Sequence, residues 1–239
     1  MASVREILQQ GLAHHQAGKL ANAEACYRKA LKQDRNNVDA LNLLGVAVLE
    51  AGRPEEAIPH IEKAAKQNPS RSNIQINLGN AYLAADRRTD AAQAYKKATE
   101  IDPRDLDAFQ RLSTVYSALG HYKEAAITIE KAIALDPGNG GLHMTLGVAL
   151  KDAGKLDQAE RVYRTILKKT PDYAEAKANL AVVLQKQGRL DEAQESYRSA
   201  IDQRPEFFRQ ATLNLAATGK GKLWLNLNQA RVILSSNPK

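Results

Sequence analysis

Residues 38–71 read VDALNLLGVAVLEAGRPEEAIPHIEKAAKQNPSR. Leu41, Leu44 and Val48 recur at the spacing of one helix face, and Ala57, Ile61 and Ala64 do the same after a break at Gly52. Pro54 suits the first turn of a helix, where its missing N–H is not needed. Asn37 stands where the first helix needs a cap, and Glu56 enriches the first turn of the second, where a negative charge complements the helix dipole. Pro69 then stops the second helix, because it cannot continue the hydrogen-bond ladder. The stretch predicts a helical hairpin, Val38 to about Ala51 followed by Pro54 to about Gln67.

The same pattern repeats outward in both directions. Pro69, Pro103, Pro137, Pro171 and Pro205 are each 34 residues apart, and Gly18, Gly52, Gly120, Gly154 and Gly188 keep the same step with Asp86 in the missing place. Ala23, Ala57, Ala91, Ala125, Ala159 and Ala193 hold it without a gap. Asp105 and Asn139 repeat the capping place of Asn37. Small residues (Gly11, Gly45, Gly79, Ser113, Gly147, Ala181) sit midway along each first helix, where a short side chain lets the second helix approach closely. Leu44, Leu78, Leu112, Leu146 and Leu180, with Tyr27, Tyr95, Tyr163 and Tyr197, supply the bulk that fills the space between hairpins.

Leu-Gly, then Gly, Glu-Ala, Tyr, Ala and Pro at this step resemble the tetratricopeptide repeat. Leu78-Gly79, Asp90-Ala91, Tyr95, Ala98 and Pro103 carry the resemblance well, as do Leu44-Gly45, Gly52, Glu56-Ala57, Ala64 and Pro69. Six units follow, 4–37, 38–71, 72–105, 106–139, 140–173 and 174–207, and residues 208–239 read as a degenerate seventh repeat or capping helices. The first unit departs from the pattern, with Arg35 for proline and Gln10 for leucine, as a solvated end unit would. The fold class expected is all-α. The resemblance implies a right-handed superhelical solenoid of antiparallel hairpins, with a concave groove lined by the first helices that holds a peptide or helix of a partner protein.

In such arrays the groove takes the second, fifth, sixth, ninth, twelfth and thirteenth residues of each repeat. On that basis the candidate partner-binding residues are Leu8 and Leu12, then Asn42, Leu43, Val46 and Leu49, then Ile76, Asn77, Asn80 and Leu83, with Arg111 beyond them. Met144, Val148, Asn179 and Val182 form a second patch toward the end, beside Ala178. The competing reading makes several of these residues packing groups between repeats. Two specialised uses of the family are not matched. The clamp for a C-terminal carboxylate keeps Asn77 and Arg111 but has Asn42 and Asp107 where lysines belong and Val46 for an asparagine; the asparagine ladder of sugar-transferring relatives keeps only Asn77 and Asn179.

Composition sets further bounds. The 239 residues are 44% apolar and 26% charged, with one cysteine, Cys26, so no internal disulfide framework is expected. No apolar run approaches the roughly 18 residues of a membrane span, and the start lacks the apolar core of a signal peptide, so the cytoplasm is the expected compartment. The net charge is +7, but residues 208–239 alone carry Arg209, Lys220, Lys222, Arg231 and Lys239 with no acid. The body is therefore near balance, without the continuous basic stripe that tracks a phosphate backbone, and no nucleic-acid partner is expected. In the C-terminal segment Trp224, Leu225 and Val232 are candidates for self-association into a homo-oligomer.

No residue set points to catalysis, a metal or a cofactor. His14, His15, His60, His121 and His143 share no ligand spacing, Cys26 falls in a helix-core register, and Gly138-Asn139-Gly140-Gly141 follows no strand. The function expected is a non-catalytic adaptor for proteins. The alternative is the substrate-recruiting arm of a larger enzyme, such as a bacterial O-linked glycosyltransferase, whose repeats residues 146–158 and 180–192 resemble.

Overall fold

The computed structural model describes residues 2–216. They are helical throughout, with no strand among the described residues, and they divide into two compact units at Gly120. The first unit holds α1 (Val4–Gln16), α2 (Leu20–Gln33), α3 (Val38–Glu50), α4 (Pro54–Gln67), α5 (Ser72–Ala84), α6 (Arg88–Ile101) and α7 (Leu106–Ala118). The second holds α8 (Tyr122–Leu135), α9 (Gly140–Asp152), α10 (Leu156–Lys169), α11 (Ala174–Lys186), α12 (Leu190–Gln203) and α13 (Phe207–Ala216).

The helix ends follow from single residues. Ser3 and Glu6 form a reciprocal capping box at the start of α1, each side chain accepting from the other's backbone N–H, at 3.3 and 2.9 Å. Asn37, Asp105 and Asn139 cap α3, α7 and α9 through their side chains. At the end of α3, Gly52 takes a left-handed φ of +78°, which lets the Arg53 N–H reach the Val48 carbonyl at 3.1 Å. Asp86 takes the same role after α5, at φ +56° and without the glycine that makes such a turn easy.

Each unit is an all-α solenoid in which every helix packs on its neighbours in sequence. In the first unit α1 pairs with α2, α3 with α4 and α5 with α6, and each hairpin stacks on the next through α2–α3, α4–α5 and α6–α7. In the second, α9–α10 and α11–α12 are hairpins, joined through α8–α9, α10–α11 and α12–α13. The tight crossings are made by the small residues. A methyl added at Gly79 would lie 2.5 Å from the Tyr95 ring, and one at Gly147 would lie 2.6 Å from the Tyr163 ring. Those tyrosines, with Tyr27 and Tyr197, are at most 1% exposed. Burial of such large apolar areas is the main favourable term in each hairpin.

Successive hairpins are also tied by charge. Glu24, Arg28, Arg53 and Glu56 form a four-membered ion cluster joining α2 to α4. The same types recur four repeats later as Glu160, Arg164, Arg189 and Glu192, joining α10 to α12.

Candidate partner-binding face

First helices approach one another directly. α3 touches α5 in the first unit, and α9 and α13 both touch α11 in the second, so the first helices form the inner face of each unit. The candidate residues on this face differ in what they leave open.

In the first unit, Leu12 and Leu83 are 38% and 40% exposed. Leu8, Leu43, Leu49 and Ile76 are half-buried and pack on core clusters, so each divides its area between the interior and the surface. Val46 is half-buried as well. Asn42, a candidate contact on sequence grounds, is instead 6% exposed and accepts a hydrogen bond from the Asn77 amide at 3.0 Å. Its acceptor is spent inside the protein, because a buried amide needs a partner. The Asn77 side chain is half-buried above it.

Asn80 links two helices to the fourth first helix. It accepts from the buried Tyr95 hydroxyl at 2.6 Å and from the Arg111 guanidinium at 3.1 Å. Arg111 also donates to Asp107 at 2.6 Å, and that hydrogen bond raises its pKa against the cost of partial burial. Asp107 thus neutralises the arginine that a carboxylate clamp would need free, which agrees with the broken clamp pattern in the sequence. Burial raises the pKa of the Tyr95 phenol, so it stays a neutral donor to Asn80.

In the second unit Met144, Val148 and Val182 are half-buried and Ala178 is buried. A cavity of about 210 Å3 opens between α9, α11, α12 and α13, lined by Ala178, Asn179 and Val182 together with Lys151, Tyr197, Phe207 and Asn214. Lys151 donates to the Asn179 Oδ1 at 3.2 Å, while the Asn179 amide donates to the Glu175 carbonyl at 3.0 Å. Lys151 is the twelfth residue of its repeat, a groove place that the apolar pattern does not mark. Phe207 ends the sixth repeat and Asn214 lies in the degenerate segment after it, where the pattern is weakest. Trp224, Leu225 and Val232 lie outside the described residues.

His15 bridges two first helices, its ring nitrogens 3.3 Å from the Tyr27 hydroxyl and 2.9 Å from Glu50. Among the described residues no group of histidine, cysteine and carboxylate side chains converges as metal ligands, and no helix is long and apolar enough to cross a membrane.

The sequence matches, over residues 1–217, the family described as the tetratricopeptide C-terminal domain of cilia and flagella-associated protein 70. The chain belongs to this tetratricopeptide-repeat family. Among solved structures it is similar to MamA protein at 27% identity, over 72% of this chain and 94% of that chain, with a TM-score of 0.65. YrrB, described as a TPR protein with an unusual peptide-binding site, is 22% identical over 75% of this chain and 93% of its own, with a TM-score of 0.66. The C-terminal part of a TPR repeat-containing protein from Cytophaga hutchinsonii is 17% identical over 87% of this chain and 83% of its own, with a TM-score of 0.72. The last two likenesses concern the fold alone. No match was found among curated proteins.

Proposed function

We propose that this tetratricopeptide chain is a non-catalytic scaffold that seats an apolar segment of a partner protein on the inner face of its first unit. The observation that carries this reading is the exposure of Leu12 and Leu83 on first helices, flanked by the half-buried Leu8, Leu43 and Ile76. Exposed leucines backed by packed apolar neighbours offer area to a partner at little cost in ordering side chains. The polar groups among them, Asn77 and the Asn80–Arg111 pair, can fix the direction of a bound segment through its backbone. The peptide-binding description of YrrB accords with this use of the fold.

Selection of displayed random peptides on the full chain tests the reading. Peptides that bind should be rich in aliphatic side chains. They should lose affinity for Leu12→Asp/Leu83→Asp, whose melting temperature should match the wild type because both sites are exposed. Selected peptides that bind this variant unchanged would remove the inner face of the first unit as the binding surface.

A further inference from the structure

Three residues of the first unit, Pro59, Ala65 and Gln75, differ from those at the matching places of several other repeats, and all three line one groove. Pro59 lies inside α4, beyond the first turn, where a proline removes a ladder hydrogen bond. The matching positions in other repeats hold Ala25, Gln93, Ile127, Arg161 and Glu195. Ala65 stands where Leu31, Ile133, Leu167 and Ile201 stand elsewhere, with Thr99 in the next repeat. At the place of Gln75, Ile7, Leu41 and Phe109 are 1%, 3% and 6% exposed, whereas two later repeats hold His143 and Lys177. Pro59 is unfavourable within a helix, and Ala65 and Gln75 remove aliphatic bulk from the junction of α4 and α5.

Their joint effect is a cavity of about 910 Å3 between α4, α5 and α6, on the outer side of the first unit. The matching junction of α10 and α11 in the second unit shows what the ordinary residues do. There Leu167 fills the place of Ala65, and the cavity is about 560 Å3. At the α2–α3 junction Leu31 packs against the cluster that contains Leu41. The enlarged groove is therefore a property of these substitutions, added to a shallow furrow that the repeat makes anyway.

Its chemistry is specific. Gln75 is 5% exposed and lines the cavity. A primary amide that lines a groove presents one donor face and one acceptor face, which match the peptide group of an extended chain. A helix would not serve, because its own backbone groups are already paired. The charges at the rim are unequal in availability. Glu62 accepts from the Tyr82 hydroxyl at 2.5 Å, and Glu100 lies 3.9 Å from Lys96. Lys66 and Lys97 are exposed and have no ion-pair partner among the described residues. Leu78 and Ile101 supply apolar wall between them.

We propose that this outer groove is a second protein-binding site, which takes an extended peptide segment carrying an acidic side chain beside apolar ones. Gln75 pairs with the segment's backbone, the space left by Ala65 takes an aliphatic side chain, and Lys66 and Lys97 hold the carboxylate. The site does not rely on the inner face and can be tested apart from it.

The same random-peptide selection on the full chain supplies the probe. Affinities of the selected synthetic peptides are then measured for the wild type, for Ala65→Leu/Gln75→Leu, for Lys66→Glu/Lys97→Glu and for Leu12→Asp/Leu83→Asp. A class of peptides with acidic and aliphatic residues should lose about tenfold or more with each of the first two variants and be unaffected by the third. The filled variant installs the residue types found at Leu167 and Leu41, so its melting temperature should not fall. Should it fall, the Lys66→Glu/Lys97→Glu variant, altered only at exposed sites, still decides the matter. The proposal is overturned if no selected peptide is weakened by either groove variant, or if those weakened carry basic or uncharged sequences.

Discussion

Asp86 is the one non-glycine residue at positive φ among those described, and the sequence marks it as the gap in a glycine series. The left-handed turn costs a residue with a Cβ more than it costs glycine. Asp86→Gly should therefore raise stability by up to about 1 kcal/mol, read as a higher urea midpoint, since the ion pair it gives up with Arg88 is exposed. The buried tyrosines behave unequally for a reason that periodicity hides. Tyr95 donates to Asn80 and Tyr197 receives the Asn214 amide at 2.9 Å, but the Tyr163 hydroxyl is buried without a partner among the described residues. Tyr163→Phe should leave stability within about 0.5 kcal/mol or increase it, while Tyr95→Phe should cost about 1 kcal/mol. The rings were legible in the sequence because they recur. Their partners were not, because His15, Asn80 and Asn214 sit at different places in their repeats and reach the hydroxyls from different directions.

Among the elements, the hairpin crossings are the strictest sites. Gly79→Ala drives a methyl into the Tyr95 ring, and Ala159→Leu places three more carbons at a position that is fully buried. Each should lower stability by about 1–3 kcal/mol through overpacking, measured by denaturant unfolding, and neither should change helix content. The repeat step foretold these small residues well, because close helix approach tolerates few side chains. The four-charge clusters between second helices were less legible. Glu24 and Arg53 are far apart in sequence, and nothing in a helix pattern says that their side chains meet. Burial raises the pKa of Glu160, but hydrogen bonds from Arg164, Arg189 and Gln187 outweigh it and hold the carboxyl below its ordinary value. A depressed carboxylate pKa gives stability that is complete at neutral pH and disappears as pH falls through the folded value. Glu160→Gln should thus lower the melting temperature at pH 7, by an amount corresponding to about 1 kcal/mol or less given the exposed arginines. The gap between variant and wild type should close as pH is brought below about 4.

For the whole molecule, the fold was readable because one 34-residue pattern repeats until the periodicity itself is the evidence. The proposed binding surface was readable only in outline. Position in the repeat identified the inner face, but burial divides its residues into the open Leu12 and Leu83, the shared Leu43 and Ile76, and the buried Asn42. A pattern gives direction around a helix, whereas exposure depends on the size of neighbours contributed by the next repeat. The outer groove illustrates the same limit. Ala65 and Gln75 look like ordinary drift from the repeat until the cavity they share is seen.

We propose that the inner face of the first unit binds protein. The direct measurement is quantitative affinity capture from a lysate of the native source, with wild type and Leu12→Asp/Leu83→Asp run in parallel and their melting temperatures recorded. A specific set of proteins should be enriched by the wild type and lost with the variant, at equal melting temperature, and should persist when salt is raised because apolar contacts are little screened. The same proteins captured in equal amount by the variant would exclude the inner face of the first unit as the binding surface.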